Sequence, residues 1–175
     1  GHIIIDLHGA RCNCGNSGCL EAMASGTALA REARALLDGD LDPASPLARL
    51  AAAGAPIDAA LLARAAEAGD PACVAILERA WVAIGALCAS LVNLLDPEVI
   101  VIGGSIAEHH PRLFEVARVE LARRAFPILL DRVRIVPAAL GADVSLIGGL
   151  PIVYDRIGDP AYAAGSQPQQ GALHP

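Results

Sequence analysis

Two Asp-Pro pairs, Asp70-Pro71 and Asp96-Pro97, bracket a stretch with no proline after Pro71 and only one glycine, Gly85. Aspartate caps helix N-termini and proline is preorganised for the first helical position, so the first pair starts a helix. The second stops it, because Pro97 drives Asp96 out of helical backbone. Between them Cys73, Ile76, Leu77, Ala80, Ile84, Leu87, Cys88, Leu91 and Leu95 recur at three and four and make one continuous apolar face. A helix of this length and apolarity needs a flat partner. The next run supplies one: Glu98 to Ile102 is apolar after its first residue and closes at Gly103-Gly104-Ser105, the pattern of a buried strand.

The rest of the chain repeats this alternation. Ile3 to Leu7 is a β-branched run bounded by Gly1 and Gly9 and predicts a buried strand. Leu20 to Leu37 is helical with a break at Ser25-Gly26, and Thr27 is placed to cap the second part. Asp38 to Pro56, with three prolines, reads as an excursion loop with at most one helical turn. Ile57 to Ala68 predicts a helix closed by Gly69, and Pro111 to Ala125 another, followed by a strand at Val133 to Val136. Val144 to Ile157 is helix-like, with Pro151 expected to kink or restart it. Strands apolar on both faces, alternating with helices, imply an α/β layered sheet rather than a bundle. Residues 1–157 are expected to form one domain and residues 158–175, rich in Gly, Pro, Gln and Ser, a disordered tail. Gly1 is not a methionine and runs straight into the first strand, so the chain reads as a piece of something longer.

Composition narrows the functional classes. The chain has 175 residues, 54% hydrophobic and only 3% aromatic, enough for a core of one domain. Its 13 basic residues are all arginine and its 19 carboxylates bring the net charge to −6, with no basic stripe, so nucleic-acid binding by this segment is not expected. No run reaches the roughly 18 to 20 apolar residues of a membrane span before a charge, Asn or Pro intervenes, and the N-terminus has no basic leader. A cytoplasmic protein without a membrane partner is expected. Trp81 lies off the centre of the long helix's apolar face and reads as free to anchor a partner.

Five cysteines fall into two groups. Cys73 and Cys88 lie on the apolar face of the long helix and read as small core hydrophobes. Cys12, Cys14 and Cys19 occur within eight residues of a loop that Gly15 and Gly18 allow to fold around a small centre. A disulfide uses only two of three. Three thiolates with one imidazole make a closed tetrahedral Zn²⁺ site, and His2 stands ten residues before Cys12, with His8 as competing donor. A redox or incidental cysteine loop is the alternative.

These residues carry a resemblance. Gly1-His2, the run Cys12-Asn13-Cys14-Gly15-Asn16-Ser17-Gly18-Cys19-Leu20-Glu21 and Ser25-Gly26-Thr27-Ala28-Leu29 resemble the zinc-and-sugar signature of the ROK family of sugar kinases and sugar-sensing repressors. The likeness extends to Val99–Ser105 and Val133–Gly149, and the wording is most similar to bacterial glucokinases. The resemblance implies the C-terminal portion of an actin-like, RNase H-like sugar kinase fold with a zinc-binding loop. Carried over, His2, Cys12, Cys14 and Cys19 would ligate structural Zn²⁺, and His2 and Glu21 would bind the sugar. Gly103, Gly104 and Ser105 would lie at the adenosine of ATP, whose Mg²⁺, phosphate-binding D-x-G-x-T hairpin and catalytic Asp would belong to a part before residue 1. The implied activity is ATP-dependent phosphorylation of a hexose, glucose first, at O6 by a homodimer or larger homo-oligomer, with this segment inactive alone. The alternatives are the effector-binding part of a ROK repressor and a zinc-stabilised interaction module without a ligand.

Overall fold

The computed structural model describes residues 1–157, in two compact units, Gly1–Pro137 and one that begins at Ala138. The expected tail, residues 158–175, lies outside the described residues. The first unit runs α1 (Glu21–Ala24), α2 (Gly26–Leu37), α3 (Pro46–Ala52), α4 (Ala59–Glu67), α5 (Pro71–Leu95), β1 (Val99–Ile102), α6 (Ser105–His109), α7 (Pro111–Arg124), α8 (Pro127–Leu130) and β2 (Arg134–Pro137). β1 and β2 pair in parallel, with Val99 opposite Arg134 and Ile102 opposite Pro137. Such a pair needs a crossover, and α6 to α8 provide it. In the second unit a short 3-10 turn, Gly141–Asp143, leads into α9 (Val144–Ile157). α9 runs through Pro151 as one helix, so of the two expected outcomes, a kink or a restart, the restart does not occur.

α5 is the axis of the first unit. Asp70 caps it, its Oδ1 accepting from the N–H groups of Ala72 and Cys73 at 3.1 and 3.2 Å, while Oδ2 accepts from Leu47 N–H at 3.2 Å. One buried carboxylate therefore holds the start of α3 as well as that of α5. This explains why the predicted excursion loop contains a seven-residue helix: Ser45 and Pro46 start α3 and Asp70, distant in sequence, seats it. α5 buries Cys73, Ile76, Leu77, Ala80, Trp81, Ala83, Gly85, Cys88, Ala89 and Val92. By length and composition it could also cross a membrane, although Glu78 and Arg79 interrupt its apolar run; half of its most apolar stretch is buried inside the protein.

Four further expectations are corrected. Trp81 is not a free anchor: it is 2% exposed, and its ring packs on His110 with centroids 5.6 Å apart. Ile3 to Leu7 is not a buried strand, because a single bridge, Ile4 to Cys19, replaces a ladder and Asp6–Gly9 turns away; Leu7 is 82% exposed. The cap of α2 is Ser25, whose Oγ accepts from Ala28 N–H at 3.1 Å, with Thr27 Oγ1 bonded to that oxygen at 2.9 Å. On the sheet, Ile100 and Ile102 pack on the core while Val99 and Val101 are exposed, so β1 is covered on one face rather than two.

Candidate functional site

The segment before α1 is irregular, yet it converges four side chains. One ligand atom from each of His2, Cys12, Cys14 and Cys19 lies within 4.8 Å of all the others. Cys12 Sγ is 3.5 Å from His2 Nδ1, and Cys14 Sγ is 3.6 Å from Cys19 Sγ. Metal–sulfur bonds of about 2.3 Å and a metal–nitrogen bond of about 2.0 Å give a tetrahedron with edges of roughly 3.5 to 3.8 Å. The separations fit a four-coordinate thiophilic cation. His8 stays outside the quartet, exposed, with its backbone N–H on Asp6 Oδ1 at 2.9 Å.

The loop reaches this shape through its own backbone. Cys12 N–H donates to Asn16 O at 2.8 Å, Gly15 N–H to Cys12 O at 3.0 Å, and Gly18 N–H to Ala10 O at 2.8 Å. Gly18 has φ +73 and lies against the Asp6 carbonyl oxygen, which a Cβ would overlap, so glycine is required there. The thiols differ in kind. Cys14 is exposed, and the Asn16 backbone N–H and the Cys12 thiol lower its pKa to about 7. Cys19 is buried, and burial followed by the neighbouring Cys14 thiol pushes it up to about 11.

Glu21 opens α1 two residues after Cys19. Its N–H donates to Gly1 O at 2.7 Å, which draws the carboxylate beside the strand-like segment that carries His2. Gly1 has no side chain to obstruct it, whereas a Cβ there would strike Glu21 Oε2. The carboxylate is exposed toward a cavity of about 200 Å³ that Arg11, Asn13, Thr27 and Arg31 also line. Arg31 holds α1 in place, its Nη2 donating to Ala22 O at 2.7 Å. Sequence reasoning missed Arg31, since nothing in its spacing marks a guanidinium that reaches back to a one-turn helix.

Gly103 and Gly104 end β1, with Gly104 at φ +104 and its carbonyl accepting from Glu108 N–H at 3.1 Å. They border a second cavity of about 200 Å³ with Ile84, Ile102, Ile106 and Leu113. Ser105 starts α6. Ala24, the last residue of α1, lines this cavity too, so one helical turn separates Glu21 from the edge of the glycine turn. The glycine turn borders an apolar cleft.

The ROK family profile matches residues 1–156, and the chain belongs to the ROK family. It is 33% identical over 159 residues to a glucokinase of Thermotoga maritima, an alignment covering 90% of this chain and 49% of that protein. It resembles the structure of a ROK family glucokinase from Streptomyces griseus in complex with glucose and AMPPNP, with a TM-score of 0.63 and 28% identity over 87% of this chain and 49% of that one. It also resembles a ROK family transcriptional regulator, a homologue of the E. coli MLC protein, with a TM-score of 0.66 and 32% identity over 78% of this chain and 33% of that one. The chain thus spans about half the length of the kinases it matches. These likenesses support the expected α/β, actin-like sugar kinase fold.

Proposed function

We propose that this chain is the sugar-gripping, adenosine-side part of a ROK sugar kinase of the glucokinase type. The observation that carries the reading is the placement of Glu21, an exposed carboxylate whose backbone is tied to Gly1 next to a His2/Cys12/Cys14/Cys19 quartet and which lines a cavity. An ionised carboxylate accepts hydrogen bonds from two vicinal hydroxyls, the feature that distinguishes a sugar from most metabolites. His2 serves twice. Its Nδ1 faces the thiols, which leaves Nε2 to bond a sugar hydroxyl.

His2, Cys12, Cys14 and Cys19 would hold Zn²⁺, which would neutralise thiolate charge and tie Cys19 to His2, keeping Glu21 in register. ATP with Mg²⁺ supplies the phosphoryl group. This chain contributes the Gly103-Gly104-Ser105 turn to its adenosine side, and Glu21 with His2 to orienting the hexose, glucose first. A homodimer in the cytoplasm is part of the same reading.

The second reading is the effector-binding part of a sugar-responsive repressor, favoured by the likeness to the transcriptional regulator. The full-length protein decides: ATP-dependent conversion of glucose to its 6-phosphate supports the kinase, and sugar-dependent release from DNA without phosphorylation supports the repressor. Absence of both, with no sugar binding by calorimetry, overturns the two readings together.

A further inference from the structure

The three thiols of the loop are unequally accessible, and one close pair joins the exposed Cys14 to the fully buried Cys19. Cys14 is exposed, whereas Cys12 and Cys19 are 5% and 0% exposed, and their sulfurs are shielded from solvent. Cys14 Sγ and Cys19 Sγ are 3.6 Å apart, with the intervening chain containing Gly15 and Gly18. Cys12 belongs to the same cluster, but it is buried and its Sγ also lies 3.5 Å from His2 Nδ1. We propose that Cys14 is an oxidation site for small peroxides, with Cys19 as its resolving partner, so that oxidation closes a Cys14–Cys19 disulfide and dismantles the metal centre. The metal part of this rests on the Zn²⁺ reading above.

The geometry selects both residues. A peroxide arriving from solvent meets Cys14 before either other thiol of the loop. The two sulfurs must then close by about 1.6 Å to reach a disulfide length near 2.0 Å. The loop can supply this, since Gly15, at φ +94 with nothing within 4 Å of where its Cβ would be, leaves the Cys14 side of the turn uncrowded. In the first step Cys14 sulfur attacks one peroxide oxygen, the O–O bond breaks, a sulfenic acid forms and the remaining oxygen leaves as water with the thiol proton. In the second, Cys19 sulfur attacks the sulfenic sulfur, the S–O bond breaks and a second water leaves. Two thiols and one hydrogen peroxide give one disulfide and two waters, and where the sulfurs start as metal-bound thiolates the two protons come from solvent; the sulfur pair loses two electrons and the peroxide gains them.

The structural consequence is local. The disulfide withdraws two of the four ligands, so the tie between Cys19, His2 and the neighbouring Glu21 is released. Cys73 and Cys88 are buried on α5, and burial pushes their pKa values up to about 12 and about 11, which makes them internal controls that stay reduced.

The test uses the full-length protein purified without chelator. Metal content is measured first; hydrogen peroxide is then added, release is followed with a chromogenic chelator, and thiols are mapped by alkylation and peptide mass spectrometry. The expected result is one metal ion released per chain, a Cys14–Cys19 link with the loss of two hydrogens, and recovery on reduction. Cys14→Ser should slow peroxide-driven thiol loss in the loop by about tenfold. Because that variant also loses a ligand, the wild-type map is decisive. Survival of all three loop thiols, a Cys12–Cys14 link, or sulfinic acid without a disulfide overturns the proposal. Protein that contains no metal yet forms the Cys14–Cys19 link refutes the Zn²⁺ reading and supports the oxidation site.

Discussion

Gly85 of α5 faces Ala117 of α7 so closely that a Cβ at Gly85 would come to 3.0 Å from the Ala117 Cα, and to 2.6 Å from Glu120 Cβ. Both atoms are fixed by the α7 backbone, so turning a side chain cannot relieve the contact. Gly85→Ala gains helix propensity but must push the two helices apart, and overpacking of this kind costs about 1 to 3 kcal/mol. Urea unfolding should show a lowered midpoint; an unchanged or raised one would mean that α7 slides freely over α5.

Asp70 gives a second stability prediction. Removing its carboxylate leaves the N–H groups of Leu47, Ala72 and Cys73 without their partner at two helix starts. Asp70→Ala should cost about 2 to 4 kcal/mol, combining a lost cap with lost charge-assisted bonds. Asp70→Asn should fall between, since its amide oxygen can still cap α5 while its NH₂ meets the Leu47 N–H. Equal stability of Asp70→Ala and the parent would count against the double cap.

The pair of Trp81 and His110 gives a pH dependence. Burial lowers the His110 pKa below the ordinary histidine value, outweighing the opposite pull of Glu67. The unfolded chain therefore takes up its proton first, near pH 6.5, and stability falls as pH drops from there toward the folded pKa. Trp81 is the chain's one tryptophan, so its emission reports this titration directly. Emission is expected to fall on acidification with a midpoint below that of a free histidine. His110→Asn should remove the dependence.

Metal content should be one Zn²⁺ per chain in chelator-free protein, because three thiols this close either share a cation or repel as they ionise. Stripping the metal should loosen residues 11–19 first and leave α5 intact, as hydrogen exchange would show. A metal content near zero in chelator-free protein overturns this.

For the sugar site, Glu21→Gln in the full-length protein should raise the sugar KM by about one to two decades, since a hydrogen bond to a charged group contributes roughly 1.5 to 3 kcal/mol. The same change should leave the metal content as it was. An unaltered KM would reduce Glu21 to a helix-end carboxylate.

What could be read from the sequence was what neighbouring residues decide among themselves. The Asp-Pro brackets of α5, the glycine end of α4 and the cysteine spacing are local, and each appears where expected. α3 depends on Asp70, 23 residues from Leu47, and no local pattern announces that bond. Ile3 to Leu7 has the composition of a strand, but composition does not supply the partner that makes a ladder. Trp81 was misplaced because a helix packed by α4, α7 and α1 is buried around more of its circumference than a single stripe describes. Of the candidate site, the convergence of His2, Cys12, Cys14 and Cys19 was legible from spacing, whereas Glu21 rested on resemblance and Arg31 had no signal at all.

At Gly18 the backbone conformation and the Asp6 carbonyl together admit one letter of the twenty. Such a position carries the most information a residue can hold, while Asn16, which contributes only backbone groups to the loop, is constrained far less. A saturation library over residues 10–21 should read as near silence at Gly18 and as tolerance at Asn16. Any aligned chain that spells another residue in place of Gly18 has changed the loop's path, whatever its cysteines say.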